Sequence, residues 1–103
     1  MDAQARYDEL AADLEARHGD VALGKMFGMP CVKRNGKAAA GYYRGDMVFK
    51  LPDPAAREEA LALDGAHLFD PMGGRPMKEW AQVPAAHAEQ WPELAERALR
   101  PAG

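Results

Sequence analysis

The sequence is poor in cysteine and has no long apolar run. Its 103 residues include one cysteine, Cys31, which excludes an intrachain disulfide framework and a cysteine-rich zinc site. No segment approaches the roughly 20 apolar residues that a membrane-spanning helix needs. Residues 1–17 carry acidic side chains throughout and lack the apolar core of a signal peptide. We therefore predict a cytoplasmic protein that has no membrane partner.

A large excess of charge is also lacking. The chain has 13 basic and 16 acidic residues and a formal net charge of -3, so the molecule as a whole should not be attracted to nucleic acid or to an anionic membrane. Hydrophobic residues make up 48% of the chain and charged residues 28%. These proportions, with no internal repeat or linker, predict a single domain over residues 1–103.

Three segments carry helix signals. The first, residues 2–18, has one apolar stripe at helical spacing, formed by Tyr7, Leu10, Ala11 and Leu14. The second begins at Asp53-Pro54, since aspartate is a good N-cap and proline is tolerated in the first turn, and it ends at Gly65. Pro92 interrupts the last segment, which predicts a helical turn over 85–89 and a separate helix from Pro92.

The middle of the chain carries strand and turn signals. Asn35-Gly36 is a strong signal for a two-residue hairpin turn, and Pro30 indicates that the strand before this turn lies at a sheet edge or contains a bulge. The predicted strands are 26–34, 37–43, 47–51, 67–70 and 76–83. The resulting order α-β-β-β-α-β-β-α predicts an α+β fold, with helices packed against a five-stranded antiparallel sheet.

Several short motifs resemble one known family. They are Met26-Phe27-Gly28, Asn35-Gly36-Lys37-Ala38, residues 47–50, Gly74-Arg75-Pro76-Met77 and residues 80–84. Together they resemble the TfoX (Sxy) N-terminal domain over residues 24–99. The resemblance implies a two-layer fold with the helices on one face of the sheet, and a role in competence regulation that works through protein partners. TfoX regulators carry a second, helical domain, so the resemblance implies a stand-alone member that lacks it.

Charge is unevenly distributed along the chain. Residues 25–50 contain six basic side chains and one acidic side chain, a net charge of +5, whereas the segments before and after are each at -4. Basic strand edges often serve only to prevent edge-to-edge pairing. The functional alternative is a surface for an anionic partner, where one of two adjacent tyrosines could stack on bases. Its candidate residues are Lys33, Arg34, Lys37, Tyr42, Tyr43 and Arg44.

Other chemistry has weaker signals. Cys31 would need a nearby histidine to act as a nucleophile, and His18, His67 and His87 lie on different predicted elements. A small buried hydrophobic residue is the favoured interpretation of Cys31. No His or Cys pair has metal-ligand spacing, so neither a metal nor a cofactor is predicted. His67, Arg75 and Glu79 are the candidate polar residues of a pocket between sheet and helices.

These observations favour a non-enzymatic protein-interaction module, with a regulatory role by analogy to TfoX. Its predicted partner is another protein, and a homodimer through the exposed edge that contains Pro30 is a further expectation. Two alternatives stay open. The first is a nucleic-acid-associated protein that uses the basic strands, and the second is a small-ligand binder or enzyme with a sheet–helix pocket.

Overall fold

The computed structural model describes residues 2–100 and has the predicted α+β class. Its elements are α1 (Ala3–Arg17), β1 (Val21–Met26), β2 (Met29–Arg34), β3 (Lys37–Tyr43), β4 (Asp46–Lys50), α2 (Pro54–Leu61), β5 (His67–Phe69), β6 (Met77–Val83), a 3₁₀-helix (Ala85–Gln90) and α3 (Trp91–Leu99). Among residues 2–100, every helix is too short or too polar to cross a membrane.

The sheet has six strands, not the five predicted. All neighbouring strands are antiparallel, in the order β1-β2-β3-β4-β6-β5. The missed strand is β1, which forms a hairpin with β2 through the two-residue turn Phe27-Gly28. Both turn residues have positive φ, 51° and 75°, as a type I′ turn requires. Phenylalanine rarely adopts this conformation, so the turn has no sequence signal.

The predicted edge position of Pro30 is wrong, because β2 is an internal strand between β1 and β3. Asn35 N–H donates to Asp20 O, and the alternation of antiparallel pairing then directs the backbone N of Pro30 toward β3. Pairing of β2 with β3 begins only at Cys31↔Gly41, one residue later. The missing N–H of Pro30 therefore removes no bond from the ladder. A bulge does occur in this pair, between Val32 and Lys33.

The predicted helix starts agree with the structure. The Asp53 carboxylate accepts a hydrogen bond from Ala56 N–H at 3.4 Å and Pro54 lies in the first turn of α2. α3 begins at Trp91 with Pro92 in its first turn, after the 3₁₀-helix. α2 ends at Leu61, earlier than the predicted stop at Gly65.

All three α-helices contribute to a core on one face of the sheet, as the two-layer arrangement requires. The predicted stripe of α1 supplies its buried residues. They pack with Leu51, which directly follows β4, and with apolar residues from the sheet and from α3, among them Val32, Met47, Phe49, Val83, Trp91, Leu94 and Leu99. Trp91 is 1% exposed and Phe49 is fully buried, so this core is continuous from helix layer to sheet.

Candidate functional site

The opposite face of the sheet carries a second apolar cluster that contains no helix residue. Its buried members are Met29, Val48, Phe69 and Trp80, and Met26, Ala38, Tyr43 and Met77 pack around them. Cross-strand partners lie on the same side of a sheet, so the register adds Lys50 and Gln82 to this side through their pairs with Trp80 and Val48. We call this surface, with Cys31, Lys33 and Gly41 of the neighbouring strands, the helix-free face.

The sheet bends toward the helix-free face. Tyr43 lies on β3 and Phe69 on β5, with β4 and β6 between them, a separation of about 14 Å on a flat sheet. Their ring centroids are nevertheless 5.0 Å apart, in an edge-to-face arrangement. Bulges in the β2–β3 and β5–β6 pairs favour such bending. The buried members of the cluster, Met29, Val48, Phe69 and Trp80, form what we call the apolar floor of the face. The bend closes this floor, so that Phe69 is 0% exposed and Trp80 7%.

Gly41 allows the strands to pack closely at the centre of this face. A Cβ at Gly41 would lie 2.6 Å from Met29 Cε and 3.1 Å from the main-chain oxygen of Pro30. The Met29 side chain therefore crosses directly over the glycine, toward Val48 on the next strand. Only a residue without a side chain leaves room for this contact.

Basic side chains surround the apolar floor. The Lys33 side chain lies over Gly24, with Cε 3.0 Å from where a Cβ would stand. The guanidinium of Arg44 stacks over the Tyr43 ring at 5.1 Å from its centroid. Lys50 and Lys33 have no ion-pair partner among residues 2–100. Asp46, which shares the face, accepts a hydrogen bond from Gln82 Nε2 at 2.8 Å.

The six residues of the predicted anionic-partner surface do not form one patch. Lys33 and Tyr43 lie on the helix-free face, and Arg44 joins them by stacking on Tyr43. Tyr42 points to the helices and packs on Tyr7, with centroids 5.5 Å apart. Lys37 begins β3 beside the Asn35-Gly36 turn, at the opposite end of that strand from Tyr43.

Arg34 is held on the helix side. It donates to Asp20 at 2.8 Å and to the main-chain oxygen of Leu99. The hydrogen bond from Arg34 holds the pKa of the Asp20 carboxyl below its ordinary value. An arginine engaged by these two acceptors is less available to an external ligand than Lys33 or Arg44.

The structure adds Lys50, Phe69 and Trp80 to the face. Alternation along β4 could have placed Lys50 on the helix-free face, because Val48 and Lys50 point to one side of the sheet whereas Met47 and Phe49 point to the other. Phe69 and Trp80 had no such signal. Their place depends on the pairing of β5 and β6 with a distant part of the chain.

The predicted pocket residues are separate surface groups. His67 pairs with Gln82 and so lies at the β5 margin of the helix-free face, where its exposed ring is 2.9 Å from the main-chain oxygen of Leu68. Arg75 lies in the loop after β5, where its main-chain N–H donates to Asp70 at 3.3 Å. Glu79 is exposed on β6. An open groove of about 570 Å³ lies elsewhere, between α1 and the start of α3, and is lined by Arg6, Glu9, Leu10, Asp13, Ala88, Trp91 and Pro92.

Cys31 is fully buried beneath the helix-free face. Burial raises the pKa of its thiol, and the charge of Lys33 offsets only part of this increase. The three histidine rings bond elsewhere: His18 to Glu96 at 3.2 Å, His67 to Leu68, and His87 to Asp64 at 2.8 Å. Within residues 2–100, no group of three His, Cys, Asp or Glu side chains is arranged to hold a metal ion.

We therefore expect the Cys31 thiol to react slowly in the folded protein. At pH 8, Ellman's reagent should modify it at least about 100-fold more slowly in buffer than in denaturing urea, because thiolate formation and access both require opening of the sheet. A Met72→Cys variant in a Cys31→Ala background is the control, since Met72 is 80% exposed. Equal rates for Cys31 with and without urea would contradict the burial.

Comparison with protein-family models, curated proteins and solved structures finds no significant match to this chain. The resemblance to the TfoX N-terminal domain therefore stays a prediction from the motifs. The fold class and the helix-free face are what the structure itself establishes.

Proposed function

We propose that this protein is a non-enzymatic interaction module that binds an acidic segment of another protein on its helix-free face. A regulatory role follows by analogy with the TfoX N-terminal domain, and a cytoplasmic location from the composition. The observation that carries the proposal is the charge of this face. Its apolar floor is surrounded by Lys33, Arg44 and Lys50, and the negative charge of Asp46, which accepts from Gln82, offsets one of these three positive charges.

The two sides of the molecule differ in charge. The three α-helices carry twice as many acidic as basic side chains, and they all lie on the far side of the sheet. An acidic ligand is repelled from the helix layer and attracted to the sheet side. Such complementarity speeds association and selects the orientation of the partner more than it adds affinity.

The aromatic rings of the helix-free face are not open for base stacking, which favours a protein partner over nucleic acid. Base stacking needs an open ring face, but Phe69 and Trp80 are buried. Tyr43 is half-buried, with Phe69 packed edge-to-face against it and the Arg44 guanidinium stacked over its ring, and Tyr42 packs against α1. A nucleic acid would thus depend mainly on phosphate contacts, whereas an acidic peptide with apolar side chains could use both the lysines and the edges of the apolar floor.

An enzyme or small-ligand binder is the less supported alternative. Catalysis in a pocket needs polar groups that converge on one point. His67, Arg75 and Glu79 lie on two strands and a loop, and in the part of the chain that the structure describes the His67 ring bonds to Leu68 O and the Arg75 main-chain N–H to Asp70. This arrangement provides no acid–base pair.

Charge reversal on the helix-free face tests the proposal. We expect a fluorescein-labelled peptide of alternating Glu and Leu to bind at about 20 mM salt and to weaken on raising the salt. The double variant Lys33→Glu/Lys50→Glu should bind it at least about tenfold more weakly. Fluorescence anisotropy gives both dissociation constants.

Lys37→Glu is the matched control, because Lys37 is an exposed lysine beside the turn and away from the face. It should change peptide affinity by less than about twofold. Equal losses from the control and the double variant, or no binding by the wild type, would contradict the proposed site. Tighter binding of a single-stranded oligonucleotide than of the peptide would favour the nucleic-acid alternative.

A further inference from the structure

β1 is an unusually open sheet edge. It lies at one end of the strand order and has six residues, whereas β5 at the other end has three. β1 contains no proline and one charged residue, Lys25, and its Leu23 side chain is 45% exposed. Proteins usually protect an edge of this length with charge, proline or a covering segment, because it is a template for another strand.

The hydrogen bonds identify which main-chain groups of β1 are free. Asp20 O accepts from Asn35 N–H, so Asp20, Ala22 and Gly24 direct their groups toward β2, and the alternate residues direct theirs outward. The outward N–H of Val21 already donates to His18 O. Among residues 2–100, the main-chain groups of β1 without a partner are therefore the C=O of Val21 and both groups of Leu23 and Lys25.

This pattern is complementary to itself, and we propose that β1 pairs antiparallel with β1 of a second copy about a two-fold axis at Leu23. The two Leu23 residues then exchange both main-chain hydrogen bonds. Each Lys25 N–H then donates to the Val21 C=O of the second copy, whereas the Val21 N–H keeps its bond to His18 O. The two six-stranded sheets join into one, with both helix layers on the same side. The proposal does not rest on the proposed function.

Side chains select this register over the neighbouring one. An axis at Gly24 would make as many hydrogen bonds, but it would place Leu23 against Lys25 and bring the two Lys25 side chains closer. With the axis at Leu23, the two exposed leucines cover each other, which apolar cross-strand pairs favour. The same register brings Phe27, 62% exposed, beside Gly19 of the second copy, where a Cβ would meet nothing within 4 Å.

Light scattering tests the assembly. At about 100 μM we expect twice the chain mass of 11.2 kDa. Leu23→Lys places two like charges on the axis and should halve the mass, with an unchanged circular dichroism spectrum, whereas Leu23→Thr should keep the dimer. The matched control Met72→Lys also replaces an exposed apolar side chain by lysine, far along the chain from β1, and should leave the mass unchanged.

Amide exchange gives an independent readout. Ala22 and Gly24 donate to β2 and should be protected at every concentration, whereas Leu23 and Lys25 should gain protection only in the dimer and lose it in Leu23→Lys. A wild-type mass of one chain at about 100 μM would overturn the proposal. So would a dimer that survives Leu23→Lys or dissociates in Met72→Lys, since either result places the contact on another surface.

Discussion

Replacing Phe69 with alanine is expected to lower the free energy of unfolding by about 3–5 kcal/mol. Phe69 is 0% exposed, although it lies on a three-residue edge strand and on the face that no helix within residues 2–100 covers. Its ring is 5.0 Å from that of Tyr43 and 6.4 Å from that of Trp80, measured between centroids. Truncation would leave a cavity that these large rings cannot fill without moving the strands.

A loss of this size is a large part of the total stability of a small domain, about 5–15 kcal/mol. Urea unfolding followed by tryptophan fluorescence measures it, and Phe69→Leu, with an expected loss of about 1–1.5 kcal/mol, keeps the transition measurable if the alanine variant does not fold. Met72→Ala is the control, since Met72 is three residues away and 80% exposed; it should change stability by less than about 0.5 kcal/mol. A loss below about 1 kcal/mol for Phe69→Ala would mean that this face is not packed as a core.

Replacing Gly41 with valine should destabilise the protein by about 1–3 kcal/mol. Strand propensity alone predicts the opposite sign, because valine is favoured over glycine in strands by up to about 1 kcal/mol. The contact decides the outcome: a Cβ would lie 2.6 Å from Met29 Cε and 3.1 Å from Pro30 O. The methionine side chain can rotate away, but the carbonyl oxygen belongs to the backbone of the paired strand and cannot.

Urea unfolding of Gly41→Val and of the control Gly19→Ala measures the effect. Gly19 has nothing within 4 Å of its Cβ position, so its variant should lose little. In a double-mutant cycle, Met29→Ala should relieve part of the loss at Gly41, and the remainder reports the clash with the main chain. If Gly41→Val proved more stable than the wild type, the close packing at this point would be wrong.

Local signals account for most of the elements that the sequence could predict. Asp53-Pro54 predicts the start of α2. Asn35-Gly36, with φ of 52° and 80°, predicts the β2–β3 hairpin. These signals act through one or two residues and need no distant contact. β1 is not predicted because its turn, Phe27-Gly28, has no such local signal. The turn has the same positive φ angles, but phenylalanine is not a residue type that indicates a turn.

The candidate site was predictable only in part. The sequence requires that Tyr42 and Tyr43 lie on opposite faces, because side chains alternate along a strand. Which of them joins the helix core depends on the pairing partners of β3. Likewise, the positive charge of residues 25–50 can be read from the sequence, but the engagement of Arg34 by Asp20 and Leu99 requires α3 to reach the end of β2.

The sequence by itself determined the α+β class, the helix starts, the central hairpin and the basic charge of the strands, since each depends on neighbouring residues or on composition. Only the tertiary structure decided that the sheet bends, that Phe69 and Trp80 close its helix-free face, and that β1 and not β2 is the open edge. Those features depend on which distant strands pair and in which register. Pairing over long separations is set by packing of the whole chain, and no short motif encodes it.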